Sequence, residues 1–135
     1  MLPVMTHLRI ADAADLLGVS DDTVRRMVDA GRLPATHDDT GRLVVRGADL
    51  AAVAQEIARP APVGLVADES ARNRMRGIVT RVLADTVMAQ VELQCGPYRV
   101  VSLMSAEAVH DLGLEVGSVA VATIKSTNVV VGVPR

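Results

Sequence analysis

Two short stretches hold the residues best suited to chemistry. Ser70 to Arg76 reads SARNRMR, and Ile124, Lys125, Ser126 and Thr127 answer it about fifty residues later. Lys125 is the only lysine, the other thirteen of the fourteen basic residues being arginine. A tetrahedral dianion offers only acceptors, so its site must converge donors: backbone N–H groups of a turn, hydroxyls and one compact cation. Ser70, Ser126, Thr127 and Lys125 are donors of that kind. Arg72 adds a planar one, although its fork suits carboxylate or phosphate best. These residue types admit a small oxyanion site. They also admit a plain serine-rich turn after a strand, and taken alone they leave both readings open.

The elements that would hold the two stretches are short β-branched runs. Five strands are predicted, over Arg76 to Leu83, Val87 to Leu93, Tyr98 to Leu103, Val119 to Ile124 and Asn128 to Val133. In the first, alternation puts Ile78, Thr80 and Val82 opposite Val79, Arg81 and Leu83. Ser105 caps a short helix running through Leu112, and Gly113 stops it. Five antiparallel strands with one inserted helix is the plan of an OB-type Greek-key barrel. Such barrels bind single-stranded nucleic acid through stacking aromatics, and Tyr98, the one aromatic residue here, makes no platform.

Residues 70 to 133 resemble a Mop domain, the molybdate-binding member of the TOBE family. The matching stretches are SARN at Ser70 to Asn73, Gly77 opening a strand, VSLMSAEAVHDLGLEVGS at Val101 to Ser118, and AVATIKSTNVVVGV at Ala120 to Val133. The resemblance implies an OB-like barrel that binds molybdate or tungstate where two copies meet. Carried onto this chain, Ser70, Ala71, Arg72, Asn73, Lys125, Ser126 and Thr127 would belong to one copy. Ser102 and Ser105 stand where relatives present hydroxyls from the neighbouring copy. The chain departs from the pattern at Cys95, Gly96 and Pro97. It also holds one module where the best-known molybdate regulators hold two, so symmetry must supply the second half of each site. The expected state is a homo-oligomer, a dimer at least, with a hexamer within the family's range.

The first half reads as a DNA-contacting head. Ala11 to Leu17 forms a helix ended by Gly18. Ser20 is the N-cap of a second helix, with Asp21 and Asp22 suiting its positive start and Val19 stapling onto Val24. Val24, Met27 and Val28 form its buried stripe, and Gly31 closes it. Two short helices joined by a Gly-Val-Ser turn make a helix-turn-helix, whose second helix can enter the major groove. Thr36 and His37, a turn at Asp38 to Gly41, then Leu43 to Val45 form two strands in the shape of a wing. A third helix follows from about Gly47, with Leu50, Val53, Ala54 and Ile57 on one face.

This order is similar to the MerR-like, excisionase-type winged helix family over about residues 7 to 57. ADAADLLGVSDDTVRRMVDAGRLPA and TGRLVVRGADLAA carry the resemblance. It implies DNA contacts from Ser20, Asp22, Thr23, Arg25, Arg26 and the wing residue Arg42. The opposing reading of the arginines is ion pairing along the helix, Arg25 with Asp29 or Asp22 with Arg26. Asp38 and Asp39 read as turn residues, unlike the arginine-rich wings common in that family.

Composition bounds the rest. The chain has 135 residues, a formal charge of −2 and one cysteine, so an internal disulfide is excluded. Bulk charge gives no drive toward nucleic acid; seven arginines and nine acids in residues 1–59 can still sit on opposite faces. No N-terminal apolar run or long hydrophobic span suggests export or membrane insertion, and a cytoplasmic protein is expected. His7, His37 and His110 are scattered, so cation ligation lacks a spacing, and no catalytic constellation emerges. The expectation is a non-enzymatic α+β chain: a winged helix-turn-helix over residues 1–58, a proline-containing linker over 59–68, and an OB-like barrel over 69–135. The leading function is a molybdate- or tungstate-responsive transcription regulator that sets two DNA-reading heads about 34 Å, one helical turn, or a multiple of it apart. Storage of the oxyanion, with the first domain an adaptor, is the alternative, and a recombination accessory factor is a third reading.

Overall fold

The computed structural model describes residues 6–64 and 70–134. The chain divides into two compact units, Met1–Arg59 and Pro60–Arg135. Residues 65–68 of the expected linker lie outside the described residues.

The first unit runs β1 (His7–Arg9), α1 (Ile10–Leu17), α2 (Asp21–Asp29), β2 (Ala35–His37), β3 (Leu43–Arg46) and α3 (Gly47–Ile57). Gly18 ends α1 in the left-handed conformation at φ 69°, which costs glycine nothing and lets the chain turn straight into α2. Ser20 caps α2, its Oγ accepting the Thr23 N–H at 3.2 Å. Gly31 closes the helix, as expected. Ala30 is the cap, still in helical geometry, and Gly31 follows at φ 76°. β3 is the central strand of a three-stranded antiparallel sheet, with β1 and β2 on either side. One core holds the unit together: Ile10, Ala13, Ala14, Val24, Met27, Leu33, Val45, Leu50 and Val53 are all buried in it.

The second unit contains β4 (Asn73–Ala84), β5 (Met88–Cys95), β6 (Tyr98–Ser105), α4 (Ala106–Leu112) and β7 (Val119–Ile124), then a single 3-10 turn over Ser126–Asn128. The sheet order is β6-β5-β4-β7, all antiparallel. β4 serves two partners: its first half, Asn73 to Ile78, pairs with β7, and its second half, Ile78 to Ala84, pairs with β5. A register shift between Val79 and Arg81 leaves Thr80 as an extra residue. Such a bulge bends a strand and increases its twist, which curls the sheet in the manner of an OB fold. It also corrects the simple alternation expected there. Val79 and Val82 both face the core, while Ile78 and Leu83 are each 47% exposed.

The fifth strand expected over Asn128 to Val133 is not formed. Ser126–Asn128 is a 3-10 turn, and residues 129–134 take part in no ladder among the described residues. The expected five-stranded barrel is therefore a four-stranded curled sheet with β6 and β7 as its edges. Its core is small, with Val79, Val91, Leu93 and Cys95 buried and Val100, Met104, Val109 and Leu114 partly covering them. Gly77 is essential to that core. A Cβ there would stand 2.5 Å from Cys95 Sγ and 2.6 Å from the Gln94 carbonyl oxygen.

Candidate functional site

The two oxyanion stretches become neighbours because β4 and β7 pair in register. Asn73 lies opposite Ile124, and Arg74 opposite Thr123. The SARN loop therefore runs into β4 at the point where β7 releases Lys125. Ala71 is buried at 2% exposure and pins the loop, while Ser70 and Arg72 on either side of it are exposed. Beyond β7 the backbone turns. Lys125 keeps an extended conformation, its carbonyl accepts the Asn128 N–H at 2.9 Å, and the Ser126 carbonyl accepts the Val129 N–H at 3.3 Å. Lys125, Ser126 and Thr127 are all exposed.

Ser70, Arg72, Lys125, Ser126 and Thr127 are exposed and carry three hydroxyls, one guanidinium and one ammonium. That inventory supplies the donors a compact oxyanion needs. The Asn73 side chain is already engaged, its Nδ2 donating to the Ile124 carbonyl at 3.1 Å.

Ser102 and Ser105 fall elsewhere. Both lie in β6, at the opposite edge of the pairing order from β7, so the ladder does not bring them to Lys125 within one chain. Ser102 pairs with buried Val91 and is itself partly covered. Ser105 caps α4, its Oγ accepting the Ala108 N–H at 3.0 Å, which leaves its O–H free to donate.

In the first unit, α2 buries Val24 and Met27 and exposes Asp22, Arg25, Arg26 and Asp29, with Thr23 partly covered. Among the described residues neither Arg25 nor Arg26 is in an ion pair, so the helix-surface pairs weighed above do not form; Arg32 with Glu56 and Arg46 with Asp49 are the unit's ion pairs. At the wing tip, Asp38 Oδ1 accepts from the Thr40 N–H, the Thr40 hydroxyl and the Arg42 N–H at 2.9, 2.6 and 3.0 Å. Those bonds, the Thr40 hydroxyl first, hold its carboxyl below the usual range. The acid is the framework of the turn, and it aims the chain so that Arg42 leaves it exposed.

The sequence reading missed one polar cluster. On the outer face of the second sheet, Glu92 is 8% exposed and accepts from Arg99, and from Gln90 Nε2 at 3.1 Å. The Arg99 bond is the main reason its carboxyl is held low, with Arg81 adding to it. The signal was the period-2 series Gln90, Glu92 and Gln94 against Val91, Leu93 and Cys95.

Fold and site together define a two-unit chain in which a winged helix-turn-helix precedes an OB-like domain bearing an exposed donor cluster. The Helix-turn-helix domain family model matches residues 8–57, and the TOBE domain family model matches residues 69–131. Molybdenum-pterin-binding protein 3 of Clostridium pasteurianum is 40% identical over 63 residues, 46% of this chain and 93% of that protein. A probable molybdenum-pterin-binding protein of Haemophilus influenzae is 45% identical over 65 residues, 47% of this chain and 94% of that one. Among solved structures, MopII from Clostridium pasteurianum aligns at a TM-score of 0.46 and 33% identity, over 49% of this chain and 100% of its own. The chain belongs to the molybdenum-pterin-binding, TOBE-domain family, and a helix-turn-helix domain precedes the shared module. Among the described residues no helix is long and apolar enough to cross a membrane.

Proposed function

We propose that the chain is a molybdate-responsive transcription regulator that takes up its oxyanion where two copies of the second unit meet, and reads DNA with the first. The observation that supports this is the β4–β7 register, which pairs Asn73 with Ile124 and so brings the loop of Ser70 and Arg72 beside the turn of Lys125, Ser126 and Thr127, all five of them exposed donors. The relatives' names supply the element. Tungstate, of nearly the same size and charge, fits the same donors.

Association of copies is supported by the exterior. Among the described residues, all the exposed large hydrophobic side chains but Leu16 lie in the second unit, and Val130, Val131 and Val133 are 93%, 85% and 87% exposed. Valines in that number on so small a unit gain from burial against another copy. A neighbour's β6 would then bring Ser102 and Ser105 to the cluster. DNA reading is supported by α2, whose Arg25 and Arg26 are exposed without ion pairs among the described residues.

The test is calorimetry with molybdate on the full chain and on Lys125→Ala, followed by promoter-fragment binding with and without the anion. Wild type binds, the variant binds at least about tenfold more weakly with unchanged melting, and DNA retention responds to molybdate. Equal affinity in the two proteins removes Lys125 from the site. The same apolar exterior also favours large assemblies of the kind a storage protein would use. Anion uptake without any sequence-selective DNA retention supports that second reading.

A further inference from the structure

We infer that Asn73 is a positioning residue for the oxyanion site and not a ligand of it: its side-chain amide latches the end of β7 and fixes where Lys125 leaves the sheet. This rests on the reading of Lys125 and its neighbours as the anion cluster. A carbonyl oxygen only accepts, so the group 3.1 Å from the Ile124 oxygen is the Asn73 amide nitrogen. The bond spans fifty-one residues of sequence and joins directly opposed positions of two strands. Asn73 is partly buried, whereas Ser70, Arg72, Lys125, Ser126 and Thr127 are exposed.

The location of the bond gives it consequence. Ile124 is the last residue of β7, and beyond Lys125 the chain enters a 3-10 turn. A strand end that turns out of its ladder frays unless its last carbonyl is held. On one side of Lys125 the Asn73 amide holds Ile124; on the other the Asn128 N–H holds the Lys125 carbonyl at 2.9 Å. Two bonds thus bracket the lysine and predispose its ammonium and the following hydroxyls toward the SARN loop. Removing the latch frees the cation from its aim without removing any charge.

A double-mutant cycle on the full chain tests this, with molybdate affinity read by calorimetry. Asn73→Ala weakens binding about tenfold in the wild-type background, the upper range for one lost hydrogen bond, and less than about twofold when Lys125 is already alanine. An equal loss in both backgrounds overturns the inference, because it means that Asn73 meets the anion itself. The second readout needs no anion. Amide exchange at residues 125–128 speeds up in Asn73→Ala and in the isosteric Asn73→Asp, which sets an acceptor against the Ile124 carbonyl, while the β4–β5 amides keep their protection. Unchanged exchange at 125–128 overturns the latch. A wild-type chain that ignores molybdate overturns the oxyanion reading instead, and the exchange measurement still decides whether Asn73 holds the turn.

Discussion

Gly77→Ala puts one methyl group into the tightest place in the second unit. Its Cβ would lie 2.5 Å from Cys95 Sγ, 2.6 Å from the Gln94 oxygen and 3.1 Å from the Gln94 carbonyl carbon. Ordinary contact is about 3.5–4 Å, so strand β5 must retreat from β4 by most of an ångström. Cys95 is 7% exposed, so burial limits how far its sulfur can rotate away, and the Gln94 oxygen belongs to the backbone. Overpacking of this kind costs about 1–3 kcal/mol. The change also removes glycine's freedom from the unfolded chain, worth about 0.4–1 kcal/mol in the opposite direction. The net is a destabilisation of about 1 kcal/mol, or a fall in Tm on the order of 5 °C for a unit this small. Thermal melts at fixed protein concentration, followed by circular dichroism, read it directly. Adding Cys95→Ala relieves the sulfur contact and leaves the carbonyl one, so the double variant recovers only part of the loss. A Gly77→Ala protein melting at or above the wild-type temperature refutes the packing argument.

Arg99→Ala should raise the pKa of Glu92, since the guanidinium is the main cause of its depression. A carboxylate with a depressed folded-state pKa contributes stability above its unfolded pKa and loses it as pH falls through the folded one. The Arg99→Ala penalty is therefore greatest near neutrality and is lost progressively as pH falls below the ordinary glutamate range and through the depressed folded pKa of Glu92, as urea melts across pH would show. Asp38 follows the same sign: the Thr40 and Arg42 amide resonances should titrate with an apparent pKa below the ordinary aspartate range, and an ordinary midpoint would dissolve the proposed framework of the wing. Arg25→Ala and Arg26→Ala should each weaken promoter binding about tenfold or more, and variants that bind like wild type would remove α2 from the groove. Val130→Lys with Val131→Lys should leave the unit folded, because both side chains are almost fully exposed. It should also shift the chain toward monomer in sedimentation, and an unchanged size would take the tail out of the interface.

The first unit was legible almost residue by residue because its signals are local. The Gly18 stop, the Ser20 cap and the Val24 and Met27 stripe act within one turn of helix, and all stand in the structure where the pattern put them. The second unit was legible in its strands but not in their geometry. Thr80 looks like any alternating residue; only the register of β5 makes it an extra one. The likeness of SARN to known modules marked Asn73 without saying what its amide touches, because Ile124 is distant in sequence and near only through β7. Glu92 was passed over for a related reason. Its partner Arg99 sits on another strand, and a buried carboxylate becomes intelligible only once that partner is known.

The missing fifth strand is the most informative of these differences. Val129, Val130, Val131 and Val133 have the β-branched composition of a strand, yet strand propensity is an averaged preference for a paired, half-buried surface and not a property of an isolated segment. Within one chain the tail leaves β7 through a 3-10 turn and meets no ladder among the described residues, while β6 and β7 keep open edges. Unpaired edges and an unpaired valine-rich segment in the same small unit are complementary defects, and a second copy can cure both at once. The segment begins directly after Lys125, Ser126 and Thr127, so whatever orders the tail also orders the donors. In the proposed reading, anion binding and association are thus coupled through a few shared residues, and each should strengthen the other by the same factor.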